Sequence, residues 1–97
     1  MPKRTNEFQT MIYQAFTHMA GPADRVTESA SLKERGDGTE REIDILVEHC
    51  AVGTELRIAI ECRGRKDKDD IEWIDGLLGK FKDLDVHKVM AVSRSGP

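Results

Sequence analysis

Phe8, Met11, Ile12, Ala15, Phe16 and Met19 recur at intervals of three and four, which lines one side of a helix and predicts an α-helix over 6–20, ended by Gly21-Pro22. Val, Thr and Ser then alternate loosely over 25–33. Gly36-Asp37-Gly38 is a turn signal before a stronger β run over 41–49, so these two runs predict a first hairpin. Gly53 separates that run from another over 56–64, which should fold back as a second hairpin. Asp67 and Asp70 resemble an acidic helix start, and Ile71, Ile74, Leu78 and Phe81 place an apolar stripe along a second helix ending near Asp85. Residues 86–93 are short and apolar, as in a buried strand, and a strand-helix-strand passage of this length favours a right-handed parallel crossover. The expected order is αβββαβ: an α/β (α+β) domain with a mixed four-stranded sheet flanked by helices. There is no internal repeat or linker.

A turn about Val52-Gly53 makes the second hairpin checkable position by position. One face then pairs Ile43 with Cys62, Ile45 with Ile60, Val47 with Ile58 and His49 with Leu56, an almost wholly apolar surface that belongs to the core. The opposite face pairs Glu42 with Arg63 and Glu48 with Arg57, and such opposite charges across a ladder contribute roughly 0.2–1 kcal/mol each. Between them Asp44 faces Glu61, and two carboxylates directly opposite each other repel. A divalent cation is the simplest group to offset that repulsion, since Mg²⁺ prefers hard oxygen ligands from one or two carboxylates together with water and substrate phosphate. The competing reading is a solvated surface pair, whose repulsion amounts to a few tenths of a kcal/mol.

The chain has 97 residues, enough for one domain with a thin core. It is 38% hydrophobic and 34% charged, with a formal net charge of −3, so it lacks the footprint of a sequence-tolerant nucleic-acid coat protein and any DNA contact must come from a local patch. Arg63, Arg65, Lys66 and Lys68 form such a basic run beside the carboxylates, readable as phosphate contacts or as a solvated loop. Cys50 and Cys62 lack CxxC spacing and have opposite side-chain parity, and no apolar run is long enough to span a membrane; a reduced, soluble, cytoplasmic protein is expected. His18, His49 and His87 are too scattered for a zinc site. Trp73 is expected to pack, and Gly76 and Gly79 suggest close approach of a neighbour to the second helix.

Asp44, followed by Glu61-Cys62-Arg63 closing an apolar strand, resembles the PD-(D/E)XK nuclease motif in its Mrr-like restriction endonuclease branch. The likeness covers most of the chain, including the leading helix with Glu7, the strand Glu42-Ile43-Asp44-Ile45, the helix around Trp73 and the final strand to Ser93-Arg94-Ser95. It implies the restriction-endonuclease-like core and a Mg²⁺- or Mn²⁺-dependent endonuclease that hydrolyses DNA phosphodiesters. Carried over by position, Asp44 and Glu61 hold the metal with the backbone carbonyl of Cys62, and Glu7 assists from the first helix. Arg63 stands where the family has lysine. Its guanidinium stays protonated and cannot act as a base, but it can hold a phosphate, and the amine can come instead from Lys66 or from Lys80. The resembling family continues with a further helix and strand, so the chain is expected to be truncated, self-sufficient or completed by a homodimer partner. Two other readings stand beside the nuclease: a nuclease-fold module that binds DNA or a protein without cutting, and an α/β interaction domain.

Overall fold

The periodicities translate into six elements in the expected order. The computed structural model describes residues 7–64 and 70–94. Helix α1 (Glu7–Met19) is followed by strands β1 (Asp24–Lys33), β2 (Glu40–Ala51) and β3 (Thr54–Arg63), helix α2 (Asp70–Phe81) and strand β4 (Lys88–Ser93). The sheet order is β1-β2-β3-β4, antiparallel between the first three strands and parallel between β3 and β4. This is a mixed α+β fold. No helix among the described residues is long and apolar enough to cross a membrane.

The register expected for the second hairpin holds from its turn as far as Ile45, with Ile45 opposite Ile60, Val47 opposite Ile58 and Glu48 opposite Arg57. The Glu48–Arg57 ion pair forms at 3.2 Å, and the same guanidinium reaches Asp85 at 3.2 Å, tying the approach to β4 onto β3.

Burial differs from the one-sided core that alternation predicts. Ile45 and Ile60 are fully buried on one face, with Phe8 of α1 buried too. One position along each strand, Leu46 and Ala59 are buried as well, clustered with Ala30, Ile43, Leu77, Phe81 and Leu84. The sheet therefore carries apolar side chains on both faces, α1 over one and α2 over the other, as expected for strands enclosed between helices.

Both helices are rolled from the faces their apolar stripes predict. In α1, Met11 and Met19 are exposed, while Phe8 and Gln9 are buried and Ile12, Tyr13 and Phe16 partly so. In α2, Ile71, Ile74 and Leu78 point outward, and the inward face carries Leu77 and Phe81 with Trp73 packed beside them. The positions i, i+4, i+7 and i+8 that put Trp73, Leu77 and Phe81 on this face put Lys80 there too.

The β2–β3 turn is strained. Val52 and Gly53 both have positive φ, 52° and 72°, which is the type I′ arrangement favoured by Asn-Gly. A β-branched residue in that region costs about 1–2 kcal/mol, and Val52 is fully exposed, so its side chain loses no packing when replaced. Val52→Asn is expected to raise the unfolding free energy by about 1 kcal/mol in urea titrations. Equal or lower stability would contradict the left-handed turn.

Candidate functional site

Asp44 lies near the middle of β2, where both of its neighbouring ladders are interrupted. On the β3 side, main-chain pairing stops at Ile45–Ile60, and side chains take over the vacated donors. The Asp44 N–H donates to Glu61 Oε2 at 2.9 Å, and the Cys62 N–H donates to Asp44 Oδ2 at 2.8 Å. Each carboxylate thus crosses to the opposite strand and accepts from an amide there. The repulsion expected from facing acids is met partly by these two charge-assisted hydrogen bonds. On the β1 side, Ser29 falls opposite Asp44 between the pairs Glu28–Ile45 and Ala30–Ile43, and has a φ of 55°. This left-handed residue changes the side-chain alternation of β1 without shifting its register, consistent with Ala30 joining the α2-side core, and Ile43 opposite it belongs to the same cluster.

Glu61 is only 5% exposed. Burial raises its pKa above the usual 4.5, and the nearby Asp44 charge raises it further. The hydrogen bond from Lys80 and that from the Asp44 amide oppose the shift. Lys80 Nζ donates to Glu61 Oε1 at 2.7 Å. Of the two lysines the sequence offered, Lys80 of α2 therefore reaches this carboxylate, while Lys66 lies outside the described residues. An acid whose pKa is raised on folding contributes stability that is fully present below about 4.5 and is lost as pH rises through the higher folded value. Denaturation of the metal-free protein at a series of pH values is expected to show the wild type losing ground to Glu61→Gln as pH rises. A pH-independent difference between the two would contradict the raised pKa.

Cys62 sits in the same field. Its thiol is pushed up to about 12 by burial, and then by the charges of Asp44, Glu61 and Glu28. The raised value favours the thiol over the thiolate at neutral pH. Its main chain matters more. The N–H and C=O of one residue in an extended strand point to the same edge. Arg63 O accepts from Arg94 N on the β4 side, whereas Cys62 N–H points to Asp44, so the Cys62 carbonyl faces the gap between β2 and β3.

The other expected site residues divide. The Arg63 guanidinium lies 4.3 Å from the centroid of the Trp73 ring and donates to Ser93 Oγ at 3.4 Å. Among the described residues, the β2–β3 ladder does not extend to the expected Glu42–Arg63 pair. Glu7 is exposed at the start of α1, and the helix residue that meets the site is Gln9. Only 3% exposed, Gln9 donates from Nε2 to Glu28 Oε2 at 3.3 Å and to the Asp44 carbonyl at 3.4 Å. Gln9, Glu28 and Ser29 are the residues sequence reasoning missed. Glu28 alone left a signal, as a carboxylate opposite Ile45 on an otherwise apolar face. Arg65, Lys66, Lys68 and Ser95 lie outside the described residues.

Among the described residues no group of three or more His, Cys, Asp and Glu side chains is arranged to hold a metal ion. A two-carboxylate site does fit the chemistry of Mg²⁺ or Mn²⁺, which completes its shell with water and phosphate. Asp44 and Glu61 repel one another across a gap faced by the Cys62 carbonyl, and a cation held there would offset that repulsion. Comparisons with family models, curated proteins and solved structures found no match to this chain.

Proposed function

We propose that the chain is a divalent-cation-dependent phosphodiesterase acting on DNA, of the PD-(D/E)XK nuclease type in its Mrr-like branch, with its lysine supplied by α2. The observation that carries this reading is the 2.7 Å contact of Lys80 with Glu61, beside the crossed Asp44 and Glu61 carboxylates. Asp44, Glu61 and the Cys62 carbonyl would hold Mg²⁺ or Mn²⁺. The ion, when bound, supplies Lewis acidity at a phosphoryl oxygen and an acidified water. Lys80 compensates the buried Glu61 charge and presents N–H donors beside it, where they can orient a water or a phosphate oxygen. The Arg63 guanidinium lies over the Trp73 ring, and its permanently charged fork suits a phosphate diester. Arg65, Lys66 and Lys68 are assigned to flanking DNA phosphates.

The test is nicking of supercoiled DNA in Mg²⁺ or Mn²⁺ by the wild type and by Asp44→Asn and Glu61→Gln, with folding checked by circular dichroism. Cleavage by the wild type that both substitutions abolish supports the proposal. No cleavage with either metal, or cleavage that survives both substitutions, overturns it. The second reading, a module that binds DNA or a protein without cutting, is favoured by Arg63 in the lysine position. It is distinguished by DNA affinity that persists in both variants without cleavage.

A further inference from the structure

Helix α2 is apolar on two sides. Trp73, Leu77 and Phe81 turn onto the sheet, whereas Ile71 and Leu78 are 74% and 67% exposed and Ile74 is exposed beside them. Next to this outer stripe the edge strand β4 leaves Val89 and Ala91 exposed. Between helix and strand runs an apolar groove of about 410 Å³, lined by Ile74, Leu78, Phe81, Val89 and Ala91 among others. Two helical glycines lead one to expect a close neighbour. Yet a Cβ at Gly76 or Gly79 would meet nothing within 4 Å, so no described part of this chain supplies that neighbour.

We infer that this face is a two-fold interface on which a second copy of the chain sits, with α2 antiparallel to α2. Charge selects that occupant. The outer stripe reads Ile71, Ile74, Asp75 and Leu78, and exposed Lys82 continues it in the turn after the helix. A two-fold contact must complement itself, so that what one copy offers at position i the other meets at position j and the reverse. An antiparallel crossing beside Leu78 satisfies this. It sets Asp75 of each copy against Lys82 of the other, and places each Leu78 on the partner's Gly79, where the helix surface is open. The exposed acids Glu72 and Asp75 make the same surface unfavourable for DNA. The groove receives the apolar side chains flanking the crossing, which shields a patch that monomers seldom leave in water.

Sedimentation velocity across the micromolar range reads the association directly and needs neither metal nor DNA, so its outcome is independent of the proposed nuclease activity. The wild type is expected to dimerise reversibly, and so is Glu61→Gln. Asp75→Lys and Lys82→Asp, each creating two like-charge contacts, are expected to raise the dimer Kd at least about tenfold. The double exchange Asp75→Lys with Lys82→Asp is expected to return it to within about threefold of the wild type. Circular dichroism confirms that these exposed substitutions leave the fold intact. A wild type that stays monomeric throughout, single reversals without effect, or a double exchange no better than the worse single change would each overturn the inference.

Discussion

Lys80→Met is expected to lower metal-dependent DNA cleavage by on the order of 10²- to 10³-fold while leaving DNA affinity within a few-fold of the wild type. The methionine keeps most of the aliphatic stem and removes the amine, which reaches Glu61 and lies 5.4 Å from the centroid of the Phe81 ring. Two consequences follow at Glu61. The donor that the proposed function sets beside the phosphate would be lost, and so would the hydrogen bond that opposes the burial-driven rise of the Glu61 pKa. The carboxylate therefore holds its proton to higher pH, and metal uptake, which requires the anion, should shift to higher pH as well. Single-turnover cleavage at several pH values reads both effects. Unchanged cleavage in Lys80→Met would remove the amine from the mechanism, and a shift of metal uptake to lower pH would contradict the electrostatics assigned to Glu61.

Ile60→Ala is expected to destabilise the fold by about 2–5 kcal/mol, among the largest effects any single truncation should have here. Ile60 is fully buried, pairs across the ladder with fully buried Ile45, and stands directly before Glu61. Against a total stability of about 5–15 kcal/mol for a small domain, that loss is a large fraction. Ile45→Ala should cost a similar amount. The double variant should cost less than the sum of the two, because paired residues share one cavity. Leu78→Ala, on the outer face of α2, should change the stability of the monomer by no more than about 0.5 kcal/mol. Urea denaturation followed by the fluorescence of Trp73, the only tryptophan, measures all four. A near-neutral Ile60→Ala would contradict the burial assigned to that face.

The pairing of Ile45, Val47 and Glu48 with their partners was legible because the Val52-Gly53 turn fixes the register and a slip of one residue would send the apolar set to the other face. Extension of that register predicted Asp44 opposite Glu61, and the two residues do meet there. The manner of meeting was not legible. Each carboxylate competes for a main-chain donor on the opposite strand, which ends the regular ladder, and β propensities carry no information about such a competition. The second buried face was missed because Leu46 next to Val47 obscures the alternation, and because Ala59 reads as a small surface residue until α2 lies over it.

The roll of the helices has the same origin. Apolar spacing in α1 points to Met11, Ala15 and Met19, but the helix turns to carry Gln9 onto Glu28 and the Asp44 carbonyl, and a buried amide with partners competes with the burial of flexible methionines. In α2 the sequence offers two apolar stripes, and one sequence does not say which a sheet will take. Lys80 was legible as a lysine able to reach from outside the usual motif position. Its arrival at Glu61 depends on Trp73, Leu77 and Phe81 being the inward stripe.

Titration of Mn²⁺ into the protein at neutral pH, followed by calorimetry, tests most directly whether Asp44 and Glu61 form one cation site, as proposed. Saturable uptake is expected in the wild type, weakened at least about tenfold by Asp44→Asn and by Glu61→Gln alike. No uptake by the wild type, or uptake that neither substitution weakens, would contradict it.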